Sequence, residues 1–286
     1  MSSTWQVIAH PEAATLERFL AEHEPASVVM SEKLRHGRLD RKLKNGGRFY
    51  YLPDMAVVYH GPGGFFYTAG LASALQRIEG GDALQDKLRR AAGSFLRLHS
   101  IMGVREDVEL LADSFASTPR HSIDYALLSL DWRRFPPPAA PPNPGLRIVQ
   151  PSPSQWRRLL QLQIAYEVEE VLLPGRSPSL STSKTSLTHS LNTQLVLVAV
   201  YRGEAVARVA TNARGYAGDQ LGGVFTDPAW RGKGVARWLM THLLAELQKT
   251  RRNASLFVKL DNGAARALYR SLNFLFESDF RISYYL

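Results

Sequence analysis

Residues 224–236 read Val224-Phe-Thr-Asp-Pro-Ala-Trp-Arg231-Gly-Lys-Gly234-Val-Ala236. An apolar run ending at Thr226 reads as a strand, Asp227-Pro228 as a turn, and the basic, glycine-containing loop as the opening of a helix. Glycines at 232 and 234 remove side chains, so backbone N–H groups can approach an anion closely. A helix N-terminus adds unsatisfied donors and a partial positive charge, and Arg231 and Lys233 add two full ones. On physics alone the loop is a pyrophosphate cradle. It is not a Walker loop, because Asp227 stands where the first Gly belongs and Gly234 where Ser or Thr should follow the Lys. Nor is it a dinucleotide fingerprint, since Arg237 occupies the third small position.

Outward from the loop, the pattern predicts an amphipathic helix over 234–250, with Leu239, Leu243 and Leu247 at four-residue spacing. Upstream, strands are expected at 195–201, 205–211 and 220–226, with Arg202-Gly203-Glu204 as the first turn. A helix is expected over 154–170 behind Pro153, and a loop over 174–193, where 10 of 20 residues are Ser or Thr; this loop is a candidate lid. Downstream come a strand at 255–260, a short helix at 264–272 and strand-like pieces near 274–276 and 281–285.

Phe135 to Gly145, FPPPAAPPNPG, holds six of the sixteen prolines and reads as an extended linker. It divides the chain into 1–134, the linker 135–145, and 146–286. In the first part we expect helices at 11–23, 82–97 and 106–115, and strands at 48–52, 55–60, 65–69, 99–102 and 125–130. Gly61-Pro-Gly-Gly64 is expected as a hairpin loop. The expected class is α/β or α+β: a mixed, mostly antiparallel sheet flanked by helices in 146–286, preceded by a smaller α/β domain.

A second segment supports the first. Lys259-Leu-Asp-Asn262-Gly-Ala-Ala-Arg266-Ala-Leu-Tyr269-Arg-Ser-Leu-Asn273-Phe274 lies about thirty residues beyond the cradle. Together, Arg231-x-x-Gly234-x-Ala236 behind Val-x-Thr-x-Pro and this Asn-to-aromatic helix resemble the two signatures of the GNAT superfamily of N-acetyltransferases. Asn273 stands where the family commonly has Gly in a left-handed turn, which Asn tolerates. The resemblance covers roughly 146–286. The first part is similar in element order, a degenerate GNAT-like domain without the Arg-x-x-Gly loop, so no cofactor is expected there.

The resemblance implies acetyl-CoA as cofactor and transfer of its acetyl group to a primary amine, a small molecule or a peptide, by direct attack on the thioester. Main-chain groups of Val224, Phe225 and Thr226 would pair with the pantetheine. Arg231, Gly232, Lys233, Gly234, Val235 and Ala236 would hold the pyrophosphate, and Asn262 and Arg266 would lie along the pantetheine or adenosine phosphate. Tyr269 sits at the family's general-acid position, beside the cofactor. Glu169 and Glu170 are the candidate bases, because an ordinary amine is mostly protonated at neutral pH and must lose a proton first. The alternatives are an acyl-CoA-binding regulatory module that has lost turnover, and a basic nucleic-acid-associated protein.

Composition narrows these. The chain has 286 residues, 45% of them hydrophobic, enough for a packed core and too apolar for wholesale disorder. Zero cysteines exclude a disulfide scaffold, a thiolate nucleophile and a Cys-based zinc site, so acetyl transfer would involve no Cys-bound acyl group. The eight histidines show no metal-binding spacing, and no metal is expected. The net charge of +9 divides into +1 for residues 1–145 and +8 for 146–286, which points to one small polyanion more than to nucleic acid. The basic stretch 33–48 reads as a solvated helix and turn. The opening residues lack a leader pattern and no run approaches membrane-span length, so the expectation is a cytoplasmic monomer or homodimer off the membrane.

Overall fold

A computed structural model describes residues 6–8, 13–36, 47–77, 98–115 and 117–285. β-branched and aromatic runs supply the strands of the first half. These are β1 (Gln6–Ile8), β2 (Arg48–Leu52), β3 (Ala56–Gly61), β4 (Phe65–Ala69), β5 (Ser100–Val104) and β6 (His121–Leu130). Its described helices are α1 (Ala13–Glu22), α2 (Val28–Arg35), α3 (Leu71–Arg77) and α4 (Arg105–Ser114). The second half runs β7 (Leu146–Val149), α5 (Trp156–Tyr166), α6 (Leu180–Thr193), β8 (Val196–Tyr201), β9 (Glu204–Arg214) and β10 (Gly218–Thr226). It closes with α7 (Val235–Lys249), β11 (Asn253–Lys259), α8 (Gly263–Ser271) and β12 (Phe274–Tyr284).

The twelve strands of the described residues join one sheet in the order β1-β2-β3-β4-β5-β12-β6-β11-β10-β9-β8-β7. Each half is antiparallel except for one parallel pair, β4 with β5 and β10 with β11. The halves also exchange strands. β12 pairs with β5, β6 pairs with β11, and β6 and β12 pair with each other across the centre. The order therefore reads the same from either end, as two copies of one topology sharing their last strands.

Burial repeats the same symmetry. Strand residues alternate between faces, so neighbours along a strand enter different cores. In the second half Leu197 and Ala199 pack with Leu239, Leu243 and Leu247 of α7, while Val196 and Val198 pack with Leu159 of α5 and Leu187 and Leu191 of α6. In the first half Tyr50 and Leu52 meet Leu71 of α3 and Leu111 of α4, while Phe49 and Tyr51 meet Leu16 and Phe19 of α1 and Met30 of α2. Among the described residues, each half thus carries two helices per face, in the same chain order.

The halves are also latched by hydrogen bonds. The carboxylate of Glu24, between α1 and α2, accepts the backbone N–H groups of Tyr216 at 2.9 Å, Ala217 at 3.1 Å and Gly218 at 2.6 Å. Glu32 of α2 accepts from Gln194 Nε2 at 2.8 Å and from the Arg214 N–H at 3.1 Å.

Several expectations change. The segment 174–193 is not a loop throughout, because 180–193 is the helix α6. Ser179 caps it by accepting the Thr182 N–H, and Ser183, Leu187 and Leu191 form its buried stripe. Its exposed hydroxyls bond back to carbonyls four residues earlier, as Thr185 does to Ser181 and Thr193 to His189, both at 2.9 Å. The helix expected to Glu170 is α-helical only to Tyr166, and Glu167–Val171 is a π-turn closed by Leu172 N–H to Glu167 O at 2.8 Å. The strand-like pieces at 274–276 and 281–285 are one strand with a bulge between Phe276 and Ser278. Asn273 is left-handed as expected, at φ 64°. The helix expected at 82–97 and most of the basic stretch 33–48 lie outside the described residues. Residues 135–141 form neither helix nor strand.

Candidate functional site

The site is made where the parallel pair comes apart. β10 and β11 pair only over Gly218–Gln220 and Asn253–Ser255. Beyond them a cavity of about 270 Å³ opens, lined by Leu221 to Val224 on one side and Leu256 to Lys259 on the other. β10 also bulges away from β9 between Gly222 and Phe225, freeing Gly223 and Val224 from that ladder. Gly223 has φ 59°, and a Cβ there would stand 2.9 Å from Arg208 Nη2, so any side chain would be strained and would have to displace that guanidinium.

Tyr269 reaches the cavity from α8 and is 7% exposed, packed edge-on against Phe274. Burial, with smaller contributions from Tyr166 and Glu170, pushes its phenol well above the ordinary value of 10. The hydroxyl therefore keeps its proton throughout the physiological range, and no group among the described residues hydrogen-bonds it. Glu170 lines the same cavity from the π-turn, with Lys259 Nζ at 3.3 Å from its Oε2 and Asn262 Nδ2 donating to its Oε1 at 3.1 Å. Asn262 also caps α8, accepting the Ala265 N–H at 3.0 Å.

The two adjacent glutamates part company. Glu169 turns toward the glycine loop, where its Oε2 lies 2.7 Å from Arg231 Nη2. Arg231 also donates through Nε to Thr226 O at 3.0 Å and lies over the Phe225 ring. Lys233 donates to Ala229 O at 2.8 Å, and the exposed Arg266 to Leu260 O at 3.1 Å.

The loop has the features an anion needs. Gly232 and Gly234 are left-handed, at φ 73° and 78°. A Cβ on Gly232 would meet nothing within 4 Å, and one on Gly234 only Pro142 at 3.8 Å. The first hydrogen bond of α7 is Trp238 N–H to Gly234 O at 3.0 Å. Among the described residues, the N–H groups of Gly232, Lys233, Gly234, Val235 and Ala236 meet no acceptor. Successive free donors with alternating backbone handedness make a nest that fits a pyrophosphate.

The structure thus gathers Val224, Glu170, Asn262 and Tyr269 around one cavity. Phe225, Thr226 and the residues 231–236 stand outside its walls. A buried network escaped the sequence reading. Arg208 of β9, 5% exposed, donates to Gln163 and lies over the Tyr166 ring. Gln163 donates to Glu167 Oε1 at 2.7 Å, and Ser183 of α6 donates to its other oxygen. Burial lowers the pKa of Arg208, while Tyr166 and Glu167 oppose that. The network fixes α5, the π-turn and α6 to the bulge of β10. Its one sequence signal was an arginine within the otherwise small and apolar run Ala205-Val-Ala-Arg208-Val-Ala210.

Residues 158–274 match the model of a family described as Acetyltransferase (GNAT) family. No curated protein sequence matches the chain. Among solved structures, a Drosophila protein is similar at 13% identity and TM-score 0.69, with 99% of each chain covered. A tandem GNAT protein from the clavulanic acid biosynthesis pathway is similar at 13% identity and TM-score 0.59, covering 99% of this chain and 98% of that one. A GNAT-family acetyltransferase from Colwellia psychrerythraea is similar at 8% identity and TM-score 0.58, covering 99% and 100%. At such identities the likeness is one of fold, and it extends over both halves.

Proposed function

From a second half that is a GNAT acetyltransferase domain over residues 158–274, we propose that the protein moves an acetyl group from acetyl-CoA to a primary amine by direct attack. The observation that carries this reading is the opening between β10 and β11, with the protonated Tyr269 and the carboxylate of Glu170 on its walls. When bound, acetyl-CoA supplies the acetyl group as a thioester.

The chain's own residues divide the work. The free N–H groups from Gly232 to Ala236, with Arg231 and Lys233, hold the pyrophosphate. Val224 offers main-chain groups to the pantetheine, as a strand edge does to an extended ligand. Glu170 takes the proton the amine must lose. Lys259 and Asn262 hold that carboxylate in place. Tyr269 donates its hydroxyl proton to the departing sulfur. Glu169 is not assigned as the base, because its carboxylate turns to Arg231 at the glycine loop and does not line the cavity.

The test is release of free thiol from acetyl-CoA in the presence of amines, with CoA binding followed by calorimetry. Tyr269→Phe should lower kcat by about 10²-fold, the scale of a lost acid catalyst, with little change in the Kd for CoA. CoA binding without thiol release by the wild-type protein on any amine would favour a binding module instead.

A further inference from the structure

The cavity between β10 and β11 does not end at the sheet. Asn212 of β9, Phe257 of β11 and Ile282 of β12 line it, and the same three line a second cavity of about 370 Å³. The far wall of this second space belongs to the first half of the chain: Val29, Met30 and Glu32 of α2, Tyr67 of β4 and Met102 of β5. Resting on the acetyl-transfer reading above, we propose that this second cavity is the acceptor chamber, and that it takes a primary amine carried on an apolar, ring-sized body.

The floor is aromatic and aliphatic. Phe257 stacks on Phe280 with ring centroids 5.0 Å apart and planes 5° apart, and Tyr125 meets Phe257 edge-on at 5.2 Å. Ile282, Phe280 and Met30 are buried beside them. A flat apolar group laid here finds stacking surfaces already in position.

Carboxylates stand at the two ends and not along the floor. Glu170 is at the Tyr269 end, and Glu32 at the other end is held by Gln194 and the Arg214 N–H. An ammonium head directed at Glu170 places the nitrogen beside the group that takes its proton. A polyamine would instead lay further charges across Phe257 and Ile282, where no carboxylate meets them and desolvation is costly. The volume suits a small molecule. Because α2 closes the chamber, the first half of the chain acts as the acceptor-binding wall of a reaction centred in the second.

Thiol release by the full chain with phenylethylamine, ethylamine and spermidine tests this, alongside CoA calorimetry. The expected kcat/KM for phenylethylamine is at least tenfold above those for the other two. Val29→Trp, which fills the chamber from α2, should raise the KM for phenylethylamine at least tenfold without altering the Kd for CoA. Val29→Phe replaces it should the larger side chain lower the melting temperature. Equal turnover of ethylamine or spermidine, or an unchanged KM in the folded variant, overturns the chamber while leaving acetyl transfer standing. No thiol release with any amine overturns both.

Discussion

Glu169 and Glu170 are neighbours of one chemical type, and in sequence nothing separates them. The π-turn does, by winding the backbone so that one carboxylate meets Arg231 and the other enters the cavity. The Glu169–Arg231 pair has a consequence for cofactor binding. Arg231 is a pyrophosphate ligand in the proposed function, yet its guanidinium is already engaged by a carboxylate at 2.7 Å. A phosphate must share or displace that partner. Both side chains are nearly half exposed, 44% and 46%, so solvent screening keeps the pair within about 1 kcal/mol. Glu169→Gln should therefore tighten CoA binding by a few-fold, roughly two to five, and more at low salt than at high salt, as exposed ion pairs do. Calorimetric titration with CoA at two ionic strengths checks it; weaker binding in the variant would mean that Glu169 positions Arg231 instead of competing for it.

At the level of elements, the strands were the legible part. Their apolar runs and turns place β2, β4 and β8 to β11 within a few residues of expectation, and the leucine spacing places α7. The glycine loop was legible for the same reason, since its residue types have few other uses at a helix start. α6 was not legible. Eight of its fourteen residues are Ser or Thr, which compete for backbone hydrogen bonds and favour turns. Only its buried face, Ser183, Leu187 and Leu191, makes it a helix, through contacts with α5 and β8 that no local pattern reveals. That dependence predicts that Leu187→Ala destabilises the protein by roughly 2–4 kcal/mol, the usual cost of a leucine-sized cavity. Leu187 is 1% exposed and shares its cluster with Leu159, so the loss should appear as a lower urea midpoint with an unchanged slope. Activity should fall with it, because α6 supplies Ser183 to the Glu167 network behind the β10 bulge. An unaltered midpoint would show that α6 is a surface appendage and not part of the core.

At the scale of the whole molecule, the exchange of last strands decides what the halves can do apart. A proline-dense stretch between two patterns of helices and strands suggests two separable domains, because sequence shows where a segment lies in the chain and not which sheet it enters. β6 precedes the linker, yet its residues Tyr125 to Ser129 pair with Lys259 to Ser255 of β11, and its length from His121 to Leu130 pairs with β12. Residues 146–286 made alone would leave β11 and β12 without the strand between them. Two unpaired strand edges bearing Leu256, Phe257, Phe280 and Ile282 are an invitation to aggregate. The missing strand also removes Tyr125 from the cavity wall and, with α2, the far side of the adjoining chamber. We therefore expect 146–286 alone to be aggregated by gel filtration and unable to bind CoA. Co-production with 1–145 should restore a soluble 1:1 complex that binds it, since the interleaved strands and the Glu24 latch would re-form between two chains as they do within one. A monomeric 146–286 fragment that binds CoA as tightly as the full chain would instead show that the second half closes its own sheet, and that β6 is a replaceable neighbour.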